Sequence, residues 1–380
     1  MAEVGSASPQ HSEPKTHACI GCSCTVVANA VGNRMLFATR VSHSLATLRS
    51  LLRDAGASVT QRAPGLLEVY TTNPSALLMA ARQALSSVEA AEIRAMVVVD
   101  EDPDALLSAA LTAPTLAQSS ARIEHADLVP LLADEFTAFH SVYQPIVSLH
   151  AGAANAVIGY EALLRATTPD GPVMPDQMFA AAAQAGWLPI LDRVGRTSAL
   201  RGAADWLGAS QLFVNFVPTS IYRPEVCLRT TEQAAEQAGL RLEQLVFEVT
   251  ESEQIADIGH LSNVFDYYRE RGCKVALDDL GSGFSSLNNL VLLRPDVVKL
   301  DKELVQALPN SVSRAVIDAI VQMTHSYGGL VLAECVETLE QAQAARDLGV
   351  DLGQGWLFGR PESRPVHVTG PARLATHASR

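Results

Sequence analysis

The feature that most constrains the fold is a repeated pattern of short apolar segments between residues 141 and 358. Eight segments of strand type recur there, and from the third onward helical segments separate them. Eight strands alternating with helices predict an α/β fold, a (β/α)8 barrel of the TIM type. The eight segments are SVYQPIVSL (141–149), AVIGYEALLRA (156–166), LFVNFV (212–217), LVFEVTE (245–251), KVALDDL (274–280), VVKLD (297–301), GLVLAECVE (329–337) and VDLGQGWLF (350–358).

The connection between the first two segments predicts a departure from the regular barrel. Only HAGAANA joins them, which is too short for the crossover that two parallel neighbouring strands require. We therefore expect an antiparallel hairpin, and a TIM-like barrel with one reversed strand.

A small α+β domain is expected ahead of the barrel. Apolar spacing predicts a helix at 44–57, a strand at 65–72, a second helix capped by Asn73 or Ser75, and a strand at 91–100. Residues 102–136 are expected to form a helical connection. The predicted organisation is a flexible segment with a cysteine cluster (1–34), a sensory or regulatory α+β domain (35–125), the barrel (126–365) and a tail (366–380).

Composition and charge exclude several classes of function. The net charge of -13 argues against binding a nucleic-acid polymer, which needs a basic face. No segment approaches the roughly 20 apolar residues of a membrane helix, and the N-terminus does not resemble a secretory signal. Six cysteines in 380 residues do not form a disulfide framework, so we expect a cytoplasmic protein.

Polar residues interrupt the predicted strands in their later halves. In a barrel such positions converge on one mouth, where barrel enzymes place their active sites. Each residue alone has an ordinary explanation: Asp278 and Asp279 can cap a turn, and Lys299 can pair with Asp301. Several carboxylates at one mouth would repel one another unless metal ions or protons neutralised them. The residues are Glu161, Asn215, Glu248, Asp278, Asp279, Lys299, Glu334, Glu337 and Gln354.

The ligand types indicate the metal. Carboxylates with one amide, and neither His nor Cys, suit Mg²⁺ or Mn²⁺. Several acids that can bridge favour a two-metal site of the kind used for phosphodiester hydrolysis. Lys299 would then position the water or neutralise phosphate charge, and a Glu that is not a ligand would accept the proton. At this point the residues are also compatible with a barrel enzyme of the enolase or aldolase type.

The motifs themselves are more specific, and residues 137–363 resemble the EAL-domain phosphodiesterases that hydrolyse cyclic di-GMP. Their order and spacing both agree with that family. The motifs are YQPIV (143–147), EALLR (161–165), VNFVP (214–218), FEVTES (247–252), ALDDLGSGFSSL (276–287), VVKLD (297–301), AECVET (333–338) and GQGWLFGRP (353–361).

The resemblance implies a role for each matching residue in a two-metal hydrolysis of cyclic di-GMP to linear pGpG. Lys299 would hold the attacking water, and Glu334 would be the general base. Gln144, Arg165 and Gln354 would contact the substrate or support the site. Two Mg²⁺ or Mn²⁺ ions would be held, the first by Glu161, Asn215, Glu248 and Asp278, the second by Asp278, Asp279 and Glu337.

The resemblance also leaves an alternative and shows two departures. Some family members only bind the dinucleotide, so a non-catalytic receptor that signals through a protein partner is the second reading. Leu280 stands where the family has an aromatic residue, and Cys335 stands where it has glycine. The loop after Asp279 resembles the mobile loop of the family. In the family this loop couples the contacts of a homodimer to metal occupancy, and the resemblance implies that Glu251 anchors it here.

The N-terminal sequence HACIGCSC (17–24) concentrates His17, Cys19, Cys22 and Cys24. A Cys-x-x-Cys pair can bind zinc or form a redox disulfide, and the alternative is an unstructured tail with incidental cysteines. A zinc-sensing or redox-sensing scaffold is therefore a third hypothesis. The α+β domain is assigned a sensory or oligomerising role by analogy with EAL proteins alone.

Overall fold

The computed structural model describes residues 32–98, 102–133, 138–150, 156–168, 171–250, 257–280, 286–308 and 310–365. Within these residues the chain forms a four-stranded sheet near its N-terminus and a nine-stranded sheet that closes on itself. The two sheets are joined by a series of helices.

The N-terminal module packs helices on an antiparallel sheet of order β2-β3-β1-β4. Its core is formed by Met35 and Phe37 of the first strand together with leucines of the first two helices. The elements are β1 (Arg34–Ala38), α1 (Ser42–Asp54), β2 (Ser58–Ala63), β3 (Leu66–Tyr70), α2 (Pro74–Ala84), α3 (Ser87–Glu92) and β4 (Arg94–Val97).

Local signals explain where the helices of this module begin. Asn73 caps α2, because its side chain accepts a hydrogen bond from the Ala76 backbone N–H at 3.0 Å. The expectation of a strand over 91–100 was wrong at its start, since Ser86 and Glu89 form a capping box that begins a short helix ending at Glu92. The strand β4 follows only at Arg94–Val97.

The predicted helical connection is present as α4 (Pro103–Thr112), α5 (Leu116–Glu124) and α6 (Leu128–Ala133). Helix α5 contacts both halves of the chain. Leu116 belongs to the core of the N-terminal module, whereas Ala121 belongs to a cluster that includes barrel residues such as Trp187.

The second sheet contains the eight predicted barrel strands and one short additional strand, β7. The elements are β5 (Phe139–Ser148), β6 (Val157–Thr168), β7 (Gly171–Val173), α7 (Pro175–Ala185), α8 (Leu188–Ala203), β8 (Gln211–Asn215), α9 (Pro224–Cys227), α10 (Arg229–Gln237), β9 (Leu245–Thr250), α11 (Ile258–Glu270), β10 (Lys274–Leu280), α12 (Ser286–Leu293), β11 (Val297–Leu300), α13 (Lys302–Gln306), α14 (Ser311–His325), β12 (Leu330–Ala333), α15 (Leu339–Asp347) and β13 (Leu352–Gln354).

The barrel closes through its first strand. The order is β5-β13-β12-β11-β10-β9-β8-β6, and β5 also pairs with β6. Strand β5 is antiparallel to both neighbours, whereas the other pairs around the barrel are parallel. The predicted barrel with one reversed strand is therefore confirmed.

A layer of inward-facing apolar residues lies below the mouth. It forms one buried cluster of Ile146, Phe213, Val246, Ala276, Val297, Leu332 and Leu352. Side chains two residues apart on a strand point the same way. On β8 to β13 the position two residues after each of these apolar residues is therefore also directed into the barrel, one layer closer to the mouth.

No helix in the part of the chain that the structure describes is both long enough and apolar enough to cross a membrane.

Candidate active site

The layer at the mouth is centred on Lys299. This side chain is fully buried, and its ammonium nitrogen lies 2.7 Å from Glu334, 3.0 Å from Glu248, 3.0 Å from Asp278 and 3.8 Å from Glu161. Strands β6, β9, β10 and β11 and the end of β12 thus bring four carboxylates to one cation. Because the acids outnumber the ammonium, Lys299 alone cannot balance the charge of the site.

The unbalanced charge shifts the proton affinities. Burial, opposed by Lys299 and reinforced by the neighbouring acids, raises the pKa of Glu248 and of Asp278. The same causes raise the pKa of Glu334 to about 8. Burial also pushes the pKa of Glu161 upward, but Lys299 and the hydrogen bonds from Gln354 and Asn215 lower it overall. Glu334, whose pKa is about 8, therefore holds a proton at pH 7 when no cation is bound.

Two adjacent aspartates reach the site because β10 is distorted there. Neighbouring residues of a regular strand point to opposite faces. Asp279 instead has a positive φ of 57°, and the pairing with β11 shifts register between Leu277 and Leu280. Asp tolerates this left-handed conformation better than most residues, which explains the residue type at this position. Leu280 points the other way and is fully buried in the outer core.

Glu334 and Cys335 follow directly after β12. Cys335 has a φ of +50° and is half-buried, so a residue with a side chain occupies a conformation that favours glycine. Burial, followed by the charge of Glu334, raises the pKa of the Cys335 thiol. The turn at Cys335 directs Glu334 toward Lys299 at 2.7 Å.

Three amide side chains connect the acids. Asn215 donates to Glu161 at 3.1 Å and to Glu248 at 3.0 Å. Gln354 donates to Glu161 and to Gln144, and Gln144 donates to the Gly359 carbonyl at 3.1 Å. The Oε1 atom of Gln354 is buried and accepts no hydrogen bond from the residues that the structure describes. For Asn215 to offer its oxygen to a cation, its amide must rotate, because its nitrogen now faces the acids.

Arg165 lies on β6 beside a mostly apolar cavity of ≈ 280 Å³ between β6, β8, α7 and α8. Phe179, Gly195 and Asp192 line the cavity from the helices, and Asn215 lines it from the site. Burial lowers the pKa of the Arg165 guanidinium, and that group donates to the Leu164 carbonyl at 2.8 Å.

Sequence reasoning missed this cavity and Asp192. The Asp192 carboxylate is buried, pairs with Arg196 at 2.8 Å, and accepts from the Val217 backbone N–H at 2.8 Å. It therefore fixes the chain just after Asn215. The available signal was an Asp and an Arg four residues apart in a predicted helical segment, a spacing that places both side chains on one face.

Among the residues that the structure describes, Asp278, Asp279 and Glu334 form a group of three carboxylates that could hold a metal ion. One oxygen of each lies within 4.8 Å of the others. Glu337 is exposed and lies outside this group.

Several predicted residues lie outside the part of the chain that the structure describes. They are Glu251, the loop residues 281–285, and the N-terminal cluster of His17, Cys19, Cys22 and Cys24.

Comparison with known proteins identifies the family. Residues 131–361 match the EAL domain, which is more than half of the chain. The chain belongs to the EAL domain family.

Relatives of the EAL domain extend this finding. A protein from Escherichia coli, named probable cyclic di-GMP phosphodiesterase PdeB, is 32% identical over 222 residues, covering 57% of this chain and 42% of that protein. The chain spans only 32%, 26% and 42% of the lengths of three curated relatives that it matches. The structure of a standalone versatile EAL protein from Vibrio cholerae O395, in a c-di-GMP-bound form, is 30% identical with a TM-score of 0.54 and covers 61% of this chain and 95% of that chain.

A further likeness reaches beyond the EAL domain. A Klebsiella pneumoniae BlrP1 structure, described as a manganese/cy-diGMP complex at pH 6, is 23% identical with a TM-score of 0.56. It covers 88% of this chain and 98% of that chain, so the similarity of fold includes much of the N-terminal module.

Proposed function

We propose that this protein hydrolyses one phosphodiester bond of cyclic di-GMP to give linear pGpG, using two divalent cations, Mg²⁺ or Mn²⁺. The observation that carries the proposal is Lys299 in contact with four carboxylates at the mouth of an EAL barrel. The names of the Escherichia coli and Vibrio cholerae relatives support the choice of cyclic di-GMP.

Carboxylate and amide oxygens are the ligands that Mg²⁺ and Mn²⁺ prefer, which supports their assignment as metal ligands. Glu161, Asn215, Glu248 and Asp278 would hold one, and Asp278, Asp279 and Glu337 the other. The buried Oε1 of Gln354, which has no hydrogen-bond donor among the described residues, would supply a further oxygen at the same site. When bound, the cations would polarise the phosphodiester and lower the pKa of a water molecule.

The chain's own residues then have distinct tasks. We assign Lys299 to orienting the water and balancing the negative charge, and Arg165 to holding a substrate phosphate. Glu334 would accept the proton of the water at its carboxylate. A bond forms between the water oxygen and phosphorus, the bond from phosphorus to the ribose 3′ oxygen breaks, and solvent protonates that oxygen. Gln144 would contact the nucleotide.

The direct test is incubation of the purified full-length chain with cyclic di-GMP and Mg²⁺ or Mn²⁺, with chromatographic detection of pGpG. Accumulation of pGpG that is prevented by a chelator supports the proposal. Binding without turnover would favour the alternative, a non-catalytic receptor that signals through a protein partner.

Cation binding should release protons. Glu334, whose pKa is about 8, is mostly protonated at pH 7 and must lose that proton as cations neutralise the site. We expect calorimetric titrations with Mn²⁺ at pH 7, in two buffers of different ionisation enthalpy, to show release of on the order of one proton. Below its pKa a carboxyl group holds a proton, and this proton competes with the cation. Cation affinity should therefore rise from pH 6 to pH 9 as the acids with raised pKa lose their protons. An affinity that does not change over this range would contradict the charge balance inferred for the site.

We assign the apolar cavity beside Arg165 to one guanine base, because ligand sites combine apolar walls with few polar groups. Gly195 lies on the wall, and a Cβ added there would lie 3.6 Å from Leu164. In Gly195→Leu the leucine side chain should project into the cavity and displace the guanine base. KM should then rise about tenfold, which corresponds to the loss of roughly one stacking contact of the base. The kcat value should stay within about twofold of the wild type, since bound substrate reaches the same catalytic groups.

Gly195→Ala is the matched control, because its added methyl group fits at ordinary contact distance. Both variants replace a helical glycine and should not lower stability, since alanine and leucine favour helix by roughly 1 kcal/mol over glycine. An unchanged KM for Gly195→Leu would place the base elsewhere.

We further propose that the N-terminal module regulates the barrel through α5. Arg122 on α5 donates to the Ala185 carbonyl at the end of α7 at 2.9 Å, and its guanidinium lies 5.8 Å from the Trp187 ring. Helix α7 supplies Phe179 to the cavity wall, so movement of α5 would reach the substrate site.

A homodimer through the barrel and a cytoplasmic location belong to the same proposal. Val291, Leu292, Val312 and Val316 are exposed on α12 and α14, which gives an apolar surface for a second copy. Analytical ultracentrifugation of the full chain over a range of concentrations tests this assembly.

A further inference from the structure

A segment not used above runs along the rim of the barrel mouth. The chain leaves β13 at Gln354 and pairs again with β5 where Glu362 and Tyr143 exchange backbone hydrogen bonds of 2.8 and 3.1 Å. Between these points the Gly359 carbonyl accepts from Gln144. Gln144 is in turn bonded to Gln354, which donates to Glu161. Residues 355–361 are thus linked to the acidic site by one chain of hydrogen bonds.

The rim segment presents an aromatic ring to solvent. Trp356 is 58% exposed, and the guanidinium carbon of Arg360 lies 4.3 Å from its ring centroid. Arg360 forms no ion pair with any residue in the described part of the chain, and its guanidinium stacks on the indole. One face of the indole is covered by a cation, and much of the ring surface stays open.

The other two tryptophans are placed differently. Trp187 is fully buried, and Trp206 packs edge-on against Tyr143 and Tyr160 at the side of the barrel. Both therefore have apolar partners within the core, whereas Trp356 is largely exposed and stacks with the Arg360 guanidinium.

The backbone holds Trp356 in a fixed place. Leu357 donates to the Val336 carbonyl at 3.1 Å, and the N–H groups of Phe358 and Gly359 both donate to the Gly355 carbonyl. Gly355 has a φ of +154°, and a Cβ at this position would lie 2.2 Å from the Val336 carbonyl oxygen. The segment therefore packs closely against the turn that follows Glu334, and Phe358 beside it is buried.

We propose that Trp356 is a stacking platform for a guanine base of cyclic di-GMP, with Arg360 holding the indole from its other face. This inference rests on the proposed function, because it names the group that selects the same substrate. A purine base has a π face that stacks on aromatic side chains, and a guanidinium on the opposite face strengthens such a stack. The cavity beside Arg165 would hold one base of the dinucleotide, and Trp356 would hold the other.

Kinetics and fluorescence test the inference together. Trp356→Ala should raise KM for cyclic di-GMP about tenfold, while Trp356→Phe, which keeps an aromatic face, should stay within about threefold of wild type. The kcat values should change less than KM, because the reacting groups are untouched. Cyclic di-GMP should also quench the tryptophan fluorescence of the Glu334→Gln variant, and Trp356→Phe in that background should remove most of the quenching.

Two further variants complete the design. Tyr70→Ala removes an exposed aromatic ring from the N-terminal module and should leave KM unchanged. Arg360→Met keeps a long side chain without the charge and should raise KM in the same direction as Trp356→Ala, by a smaller factor.

The outcomes separate the two proposals. If the wild type makes pGpG but Trp356→Ala keeps the wild-type KM and quenching persists in Trp356→Phe, the stacking role is overturned and the proposed function stands. If the wild type neither binds nor hydrolyses cyclic di-GMP, both are overturned.

Discussion

Replacing Glu334 by glutamine should reduce kcat for cyclic di-GMP by roughly 10²–10⁴-fold, the range that general-base catalysis contributes. The substitution keeps the size of the side chain and an oxygen that can accept from Lys299, which lies 2.7 Å away. It removes the carboxylate that would take the proton of the attacking water. Affinity for the dinucleotide, measured calorimetrically with the variant, should stay within a few-fold of the wild type.

The matched control is Glu340→Gln, the same chemical change at an exposed position in the first turn of α15. It should keep wild-type kcat and KM. Wild-type turnover in Glu334→Gln would remove Glu334 from the role of base and leave the group to be found among the other acids at the mouth.

Replacing Lys299 by methionine should have the largest effect on stability. Lys299 is buried in contact with four carboxylates, and removing one partner of a buried ion pair costs roughly 3–5 kcal/mol. We expect the free energy of unfolding, measured in urea with a chelator present, to fall by about that amount. Millimolar Mn²⁺ should restore part of the loss, because cations binding the folded state neutralise the same acids. Turnover should also fall steeply, since the proposed orientation of water depends on the ammonium.

Lys274→Met is the corresponding control at the opposite end of the barrel, where β10 begins. It should leave both stability and turnover near wild type. A Lys299→Met variant that is as stable as wild type without cations would show that the acids carry no unbalanced charge in the folded protein.

The barrel was predictable because its signals are local. The apolar segments match the strands within a few residues, and the short connection after β5 required a hairpin. The predicted end of the seventh strand at residue 337 was less accurate, because β12 stops at Ala333 and the positive φ at Cys335 begins a turn. Apolar residues alone do not mark such a stop.

The cavity beside Arg165 was not predictable in the same way. Its walls come from α7, α8, β6 and β8, and its volume depends on how closely the helices pack against the strands. The role of Asp192 was equally hard to predict. Its carboxylate accepts a hydrogen bond from the Val217 N–H, which lies 25 positions away in the sequence. Helical periodicity shows that a position faces inward, but it does not show which backbone group lies opposite.

The sequence by itself determined the barrel, its reversed first strand and the positions at which each strand carries a polar residue. These follow from periodicity and connection length, which depend on neighbouring residues. The tertiary structure alone decided that one ammonium contacts four carboxylates, that a register shift turns Asp279 toward Asp278, and that the segment carrying Trp356 is bonded to Gln144 through the Gly359 carbonyl. Those facts depend on distances between strands far apart in the chain, and only closure of the barrel sets these distances.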